Sequence, residues 1–205
     1  MELADAVRSR RMTRSYDPDR QVPREQIDEL LELALRAPSA GHTQGWDFLV
    51  LADITSRARF WSATSGAEPA DTWLTRMRTA PVLVVCLSDR DAYLDRYAEP
   101  DKGWTDRDVA RWPIPYWHVD VGMAAMILLL AAQDAGLAAC FFGVPSERWP
   151  ALFAEFGIPA DRCAVGVVSL GHRAPDVRSP SLKRGRRPFA EVVHYETFGP
   201  ADPDG

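Results

Sequence analysis

Ala37-Pro38-Ser39-Ala40-Gly41-His42-Thr43-Gln44-Gly45-Trp46 joins an amphipathic stretch, residues 24–36, to the apolar run Phe48-Leu49-Val50-Leu51. Upstream of it Ile27, Leu30, Leu31, Ala34 and Leu35 recur at three- and four-residue spacing, the stripe of a helix with one buried face. Pro38 and Gly41 stop that helix, and residues 46–52 read as a buried strand. The junction is therefore a helix-to-strand turn. Ser39, His42, Thr43 and Gln44 supply donors and acceptors within it, while Ala40, Gly41 and Gly45 let a planar ligand approach the backbone.

Outward from this turn, helices and apolar strands alternate. A short helix is expected at 2–11, with Leu3, Ala6 and Val7 on one side. Residues 81–87, rich in β-branched side chains, read as a second strand, with helices near 53–63 and 71–79 before it. A short helix follows 89, then an excursion to about 115 that carries Pro, Gly, charge and aromatics. A helix over 116–135 is apolar nearly all round, which implies burial on several sides and predicts a homodimer with this helix at or near the interface. A strand near 137–142, a helix near 146–156 and a strand at 163–170 complete the pattern. It suggests a three-layer α/β or α+β domain. Periodicity does not set the strand order.

The 205 residues, 46% hydrophobic and 26% charged, suit one soluble domain with a sizeable core. A net charge of −5 argues against a general nucleic-acid binder, so basic clusters read as local sites. Cys86, Cys140 and Cys163 lack CxxC spacing and read as buried thiols of a reducing compartment. No apolar h-region follows Met1, so no signal peptide is expected. The longest apolar run, Val121 to Ala132, falls short of the roughly 18 residues of a spanning segment, and no membrane partner is expected. The expected location is cytoplasmic. No P-loop, metal-ligand spacing or catalytic Ser-His-Asp order is present, Gly166–Gly171 lacks the dinucleotide fingerprint, and His118 and Asp120, two residues apart, cannot share a helix face.

Two basic clusters bracket the chain: Arg10-Arg11-Met12-Thr13-Arg14 and Lys183-Arg184-Gly185-Arg186-Arg187. With the polar turn they suit a ligand bearing a phosphate at one end and a hydrogen-bonding ring at the other. The first cluster, continued by Ser15-Tyr16, resembles the Arg-Arg-Ser-x-Arg-Phe-like motif of the nitroreductase family, and Pro38–Trp46 resembles that family's Pro-Ser-x-x-Asn-x-Gln-Pro-Trp-like turn. The apolar helix, the segment Gly136–Gly143 and the basic C-terminal arm follow in the family's order. Residues 53–80 and 95–115 are the least family-like.

The resemblance implies an α+β, three-layer α-β-α fold over residues 1–205, with a mixed, largely antiparallel sheet flanked by helices and a C-terminal arm from about 172. It implies an intertwined homodimer with FMN at the subunit interface. Arg10, Arg11, Arg14, Arg184 and Arg186 would lie near the FMN phosphate, with the backbone of Met12 in place of the family's serine. Ser39, Ala40, Gly41, His42 and Gln44 would contact flavin and ribityl oxygens, with His42 standing where the family usually has Asn. Phe141, Phe142 and Gly143 would cover one flavin face, and the Gly143 N–H would meet flavin N5. Trp112, Tyr116 and Trp117, with Trp104, suit a wall over the substrate side, and equally a core or subunit contact. The implied activity is transfer of hydride from NADH or NADPH through FMN to an electron-poor small molecule such as a nitroaromatic or quinone, with no side chain needed as acid or base for hydride uptake. A flavin-binding protein without turnover, and a specialised flavin enzyme of the same fold, are the alternatives.

Overall fold

In the computed structural model, which describes residues 1–65, 71–177 and 179–199, four strands form one antiparallel sheet. They are β1 (Trp46–Leu51), β2 (Val82–Asp89), β3 (Ala138–Phe142) and β4 (Arg162–Gly171), in the spatial order β1-β2-β4-β3. Trp46 lies opposite Ser88, Val84 opposite Val168, and Phe142 opposite Val167. The parallel element expected of a mixed sheet is a single bridge between Met12 and Ala139, outside the named strands.

Among the described residues seven helices flank the sheet: α1 (Leu3–Ser9), α2 (Arg24–Ala34), α3 (Ile54–Thr64), α4 (Thr72–Met77), α5 (Arg90–Ala98), α6 (Tyr116–Asp134) and α7 (Trp149–Phe156). The pleat of β2 divides the core. Val82, Val84 and Cys86 pack with α2 and α6, while Leu83, Val85 and Leu87 meet α3, α4 and α7 on the other face. A strand buried on both sides reads as a continuous apolar run, which is why 81–87 was recognisable. The layers are thus α-β-α. A third cluster of Tyr93, Leu94, Trp112 and Trp117 fills the end between α5 and α6.

Three expectations are adjusted. Helix 2–11 ends at Ser9, and Arg10 turns to an extended conformation (ψ 133°). The open edge of β3 is what captures the chain beyond it: the Thr13 N–H donates to the Ala139 carbonyl at 2.9 Å. Helix 146–156 begins as a 3-10 turn over Ser146–Arg148, and Pro150 sits in the first turn of α7, where its missing N–H is harmless. Cys163 is only partly buried, unlike Cys86 and Cys140. Helix α6, 19 residues long, is apolar enough to cross a membrane by length and composition alone. Here Val121, Ala124, Leu128 and Ala132 are buried against the sheet and α2.

Candidate functional site

Met12 and Thr13 run along the outer edge of β3, so the first basic cluster and the Phe141–Gly143 segment are carried by one strand edge. The Phe141 N–H donates to Met12 Sδ at 3.4 Å. Arg10 is drawn inward: its Nε and Nη1 are buried with no hydrogen-bond partner among the described residues. Arg11 points to solvent, as the turn of direction between neighbouring residues requires. Arg14 donates from Nη1 to the Met12 carbonyl at 3.3 Å, and its backbone N–H reaches Asp176 Oδ2 at 3.0 Å. Asp176 also faces Arg76 across 3.7 Å. Among the described residues, neither Arg10 nor Arg14 has a carboxylate ion-pair partner for its guanidinium. Burial raises the Cys140 pKa, with Arg14 and Arg10 near enough to oppose that shift.

Tyr16, at the end of the same motif, anchors this segment. Its phenol donates to one oxygen acceptor in a buried set comprising the Thr13 carbonyl (2.7 Å) and Ser169 Oγ (2.7 Å). Burial pushes its pKa far up, so it stays a neutral donor. At the strand's far end Phe142 stacks on Trp61, with centroids 5.7 Å apart and planes 12° apart, and meets Phe60 and Trp73 edge-on. Gly143 is exposed, and a Cβ added there meets nothing within 4 Å.

The polar turn lies elsewhere. It precedes β1, the opposite edge strand, three interstrand steps from β3, or roughly 14 Å. Gly41 (φ 63°), His42 (φ 56°) and Gln44 (φ 56°) are all left-handed. Asn and His enter that region more readily than most residues, which fits His42 at φ 56°. A Cβ on Gly41 would press on Tyr97 Cε2 at 2.8 Å. Ser39 Oγ accepts from the Gln44 N–H (2.9 Å), Thr43 Oγ1 donates to the Ala40 carbonyl (2.6 Å), and Arg96 Nε donates to the Gly41 carbonyl (2.9 Å). Asp120 Oδ2 on α6 accepts from the Ala40 N–H (2.8 Å) and from the Tyr93 phenol (2.6 Å). The Ala40 N–H is therefore committed within the protein. The side chains of His42 and Gln44 remain exposed.

Trp112 and Trp117 are buried, ringed by Tyr93, Tyr97 and Trp104, and in the single chain they support a surface rather than form it. Of the three expected wall residues only Tyr116 is exposed, at 44%. Arg184 and Arg186 are exposed on the arm and make no ion pair among the described residues. The arm's residues 178 and 200–205 lie outside the described part.

The sequence reading missed Asp120, Tyr93 and Arg96. An aspartate set among the apolar residues of the first half of α6 was the one available signal. It also set aside His118, which is held by neutral partners: the Trp117 indole donates to its Nε2 (3.1 Å), so Nδ1 carries the proton and donates to Ser88 Oγ (2.9 Å).

A family model described as "Nitroreductase family" matches residues 7–172. A 4-nitrobenzoate reductase of a Nocardioides species is 30% identical over 226 residues, covering 95% of this chain and 90% of the relative. An NADH dehydrogenase of Thermus thermophilus is 27% identical over 194 residues, covering 86% and 89%. Among solved structures, an FMN-dependent nitroreductase of Clostridium difficile superposes with a TM-score of 0.68 at 20% identity, over 95% of this chain and 99% of that one.

Proposed function

The chain belongs to the nitroreductase family, and from that premise we propose that this oxidoreductase binds FMN, takes electrons from NADH or NADPH, and reduces an electron-poor small molecule such as a nitroaromatic or quinone. The single observation that carries the cofactor reading is Arg10. A guanidinium with Nε and Nη1 buried and no partner is expensive unless an anion completes it. Arg14 stands four residues further along the same segment, and a phosphate monoester with nearly two negative charges matches the pair. The donor set fits the group. The names of the reductase and dehydrogenase relatives, and of the FMN-dependent structural neighbour, support the same activity.

Bound FMN supplies the hydride chemistry. The chain's own residues hold and shield it. Arg10 and Arg14 bind the phosphate, Phe141 and Phe142 exclude water along β3, and the Gly143 N–H is a donor offered to the ring. The polar turn, at the other sheet edge, serves the ring through Ser39, Gly41 and Gln44. A second copy of the chain would bring the two halves together. Tyr116, Val119, Met123, Met126 and Leu130 follow 3-4-3-4 spacing along α6, none of them fully buried, a pattern that suits the seam of a helix–helix contact. The arm also presents Leu182, Phe189, Tyr195 and Phe198 to solvent, at 66–92% exposure. We therefore place FMN at a homodimer interface, reached by Arg184 and Arg186 of the arm.

The test is direct. Purified protein should be yellow, release FMN on denaturation, and lose flavin absorbance when NADH or NADPH is added without oxygen. A colourless protein that fails to take up added FMN would overturn the reading. A flavin that binds but does not bleach with either nicotinamide would leave a binding protein without turnover.

A further inference from the structure

Asp120 is 1% exposed, yet one of its carboxylate oxygens, Oδ1, has no hydrogen-bond donor, and no cation pairs with it among the described residues. All of its bonding goes through Oδ2, to the Tyr93 phenol and to the Ala40 N–H at the base of the polar turn. That turn holds two non-glycine residues, His42 and Gln44, in left-handed conformations that L-residues disfavour. Such geometry persists only when the surroundings over-determine it. An apolar residue at 120 would leave the Ala40 N–H and the Tyr93 phenol without their acceptor. The carboxylate ties to α5 and α6 a segment that holds two left-handed residues with exposed side chains.

We propose that Asp120, which touches no ligand itself, is a positioning residue: it locks the turn that receives the flavin ring and places a fixed negative charge behind that turn, holding the flavin's midpoint potential down. The inference rests on the FMN reading above. Tyr93 supports it as a permanent donor, since burial, followed by the bond to Asp120, keeps its phenol protonated. A buried charge with few donors is weakly screened, so its field extends through the turn to whatever binds there. Electron uptake by a bound ring is opposed by such a charge.

The discriminating variant is Asp120→Asn, which keeps an oxygen acceptor for Ala40 and Tyr93 while removing the charge. In FMN-loaded protein we expect the midpoint potential to rise by at least about 30 mV, a tenfold change in a two-electron equilibrium, with FMN affinity changed less than threefold. Asp120→Ala, which removes the acceptor as well, should weaken FMN binding tenfold or more. Tyr93→Phe should reproduce part of that loss without raising the potential. Thermal melting of each apoprotein checks folding, and if Asp120→Ala does not fold, the Asp120→Asn potential decides alone. An unchanged potential in Asp120→Asn overturns the proposal while leaving the flavin reading intact. A wild type that binds no FMN removes both.

Discussion

The ring of Phe141 on β3 occupies the space above Gly166 on β4, so that a Cβ added at Gly166 would overlap the ring's outer carbons. Glycine here is a packing requirement, because its φ is not left-handed. The ring reaches across to the core formed with α2 and α6, on the strand that carries the candidate flavin segment. Gly166→Ala should therefore push Phe141 off its seat and destabilise the protein by about 1–3 kcal/mol, the range for overpacking. Adding Phe141→Leu should recover much of that loss. Urea midpoints of the two single variants and the double variant check it, and additive losses would argue against the contact.

Arg10 gives a prediction with opposite signs in two measurements. Arg10→Met keeps the aliphatic stem and removes a buried, unpartnered cation. In the apoprotein this should leave the melting temperature unchanged or raised, since a desolvated charge without a partner is a burden. FMN affinity should fall by about 1.5–3 kcal/mol, the worth of a charge-assisted hydrogen bond. A variant that melts lower in the apo form and binds FMN normally would make Arg10 a structural residue.

Why some of this was readable and some not follows from range. The helix 24–36 and the strand 81–87 announce themselves through local periodicity and β-branched runs, and their boundaries hold to within a few residues. The polar turn was legible because Pro, Gly and hydrogen-bonding residues concentrate in ten positions. Asp120 was not, because its meaning lies in the Ala40 N–H, 80 residues earlier. The early end of α1 was also hidden: Thr13 is captured by Ala139, a pairing that exists only once β3 is an edge strand. Strand order and the opposite-edge placement of the two motifs are likewise properties of the assembled sheet.

His118 links stability to pH. Burial lowers its pKa from the ordinary value near 6.5, and its ring is fixed neutral between Trp117 and Ser88. The unfolded chain therefore takes up a proton at about pH 6.5 while the folded chain still resists it, and stability falls as pH drops through that window. Above it His118 contributes no pH dependence. Comparing urea midpoints of wild type and His118→Asn at pH 7.5, 6.5 and 5.5, the advantage of wild type should shrink toward acid. A constant difference would show that His118 does not titrate on unfolding.

The α6 seam predicts the assembly. Val119 and Met126, 42% and 37% exposed, lie on the stripe with Tyr116 and Met123. Val119→Lys puts a charge where a second copy should pack, while in one chain the side chain reaches water. Light scattering should show a dimer for wild type at micromolar concentration and a monomer for the variant, which should also hold FMN poorly. A monomeric wild type would defeat the interface reading.

The phosphate clamp can be tested across the whole chain. Arg14 is partly buried on the β3 edge, whereas Arg186 is exposed on the arm without an ion pair among the described residues. If both reach one phosphate in the assembled protein, replacing either by Ala should weaken FMN binding by about 1.5–3 kcal/mol. The double variant should lose less than the sum, because the two cations share one ligand. Riboflavin, lacking the phosphate, should bind wild type poorly and respond little to either change. A solvated charge patch would instead give effects under about 0.5 kcal/mol. Titrating both flavins into the four apoproteins separates these outcomes, and variants that hold FMN as tightly as wild type would show that the phosphate sits elsewhere.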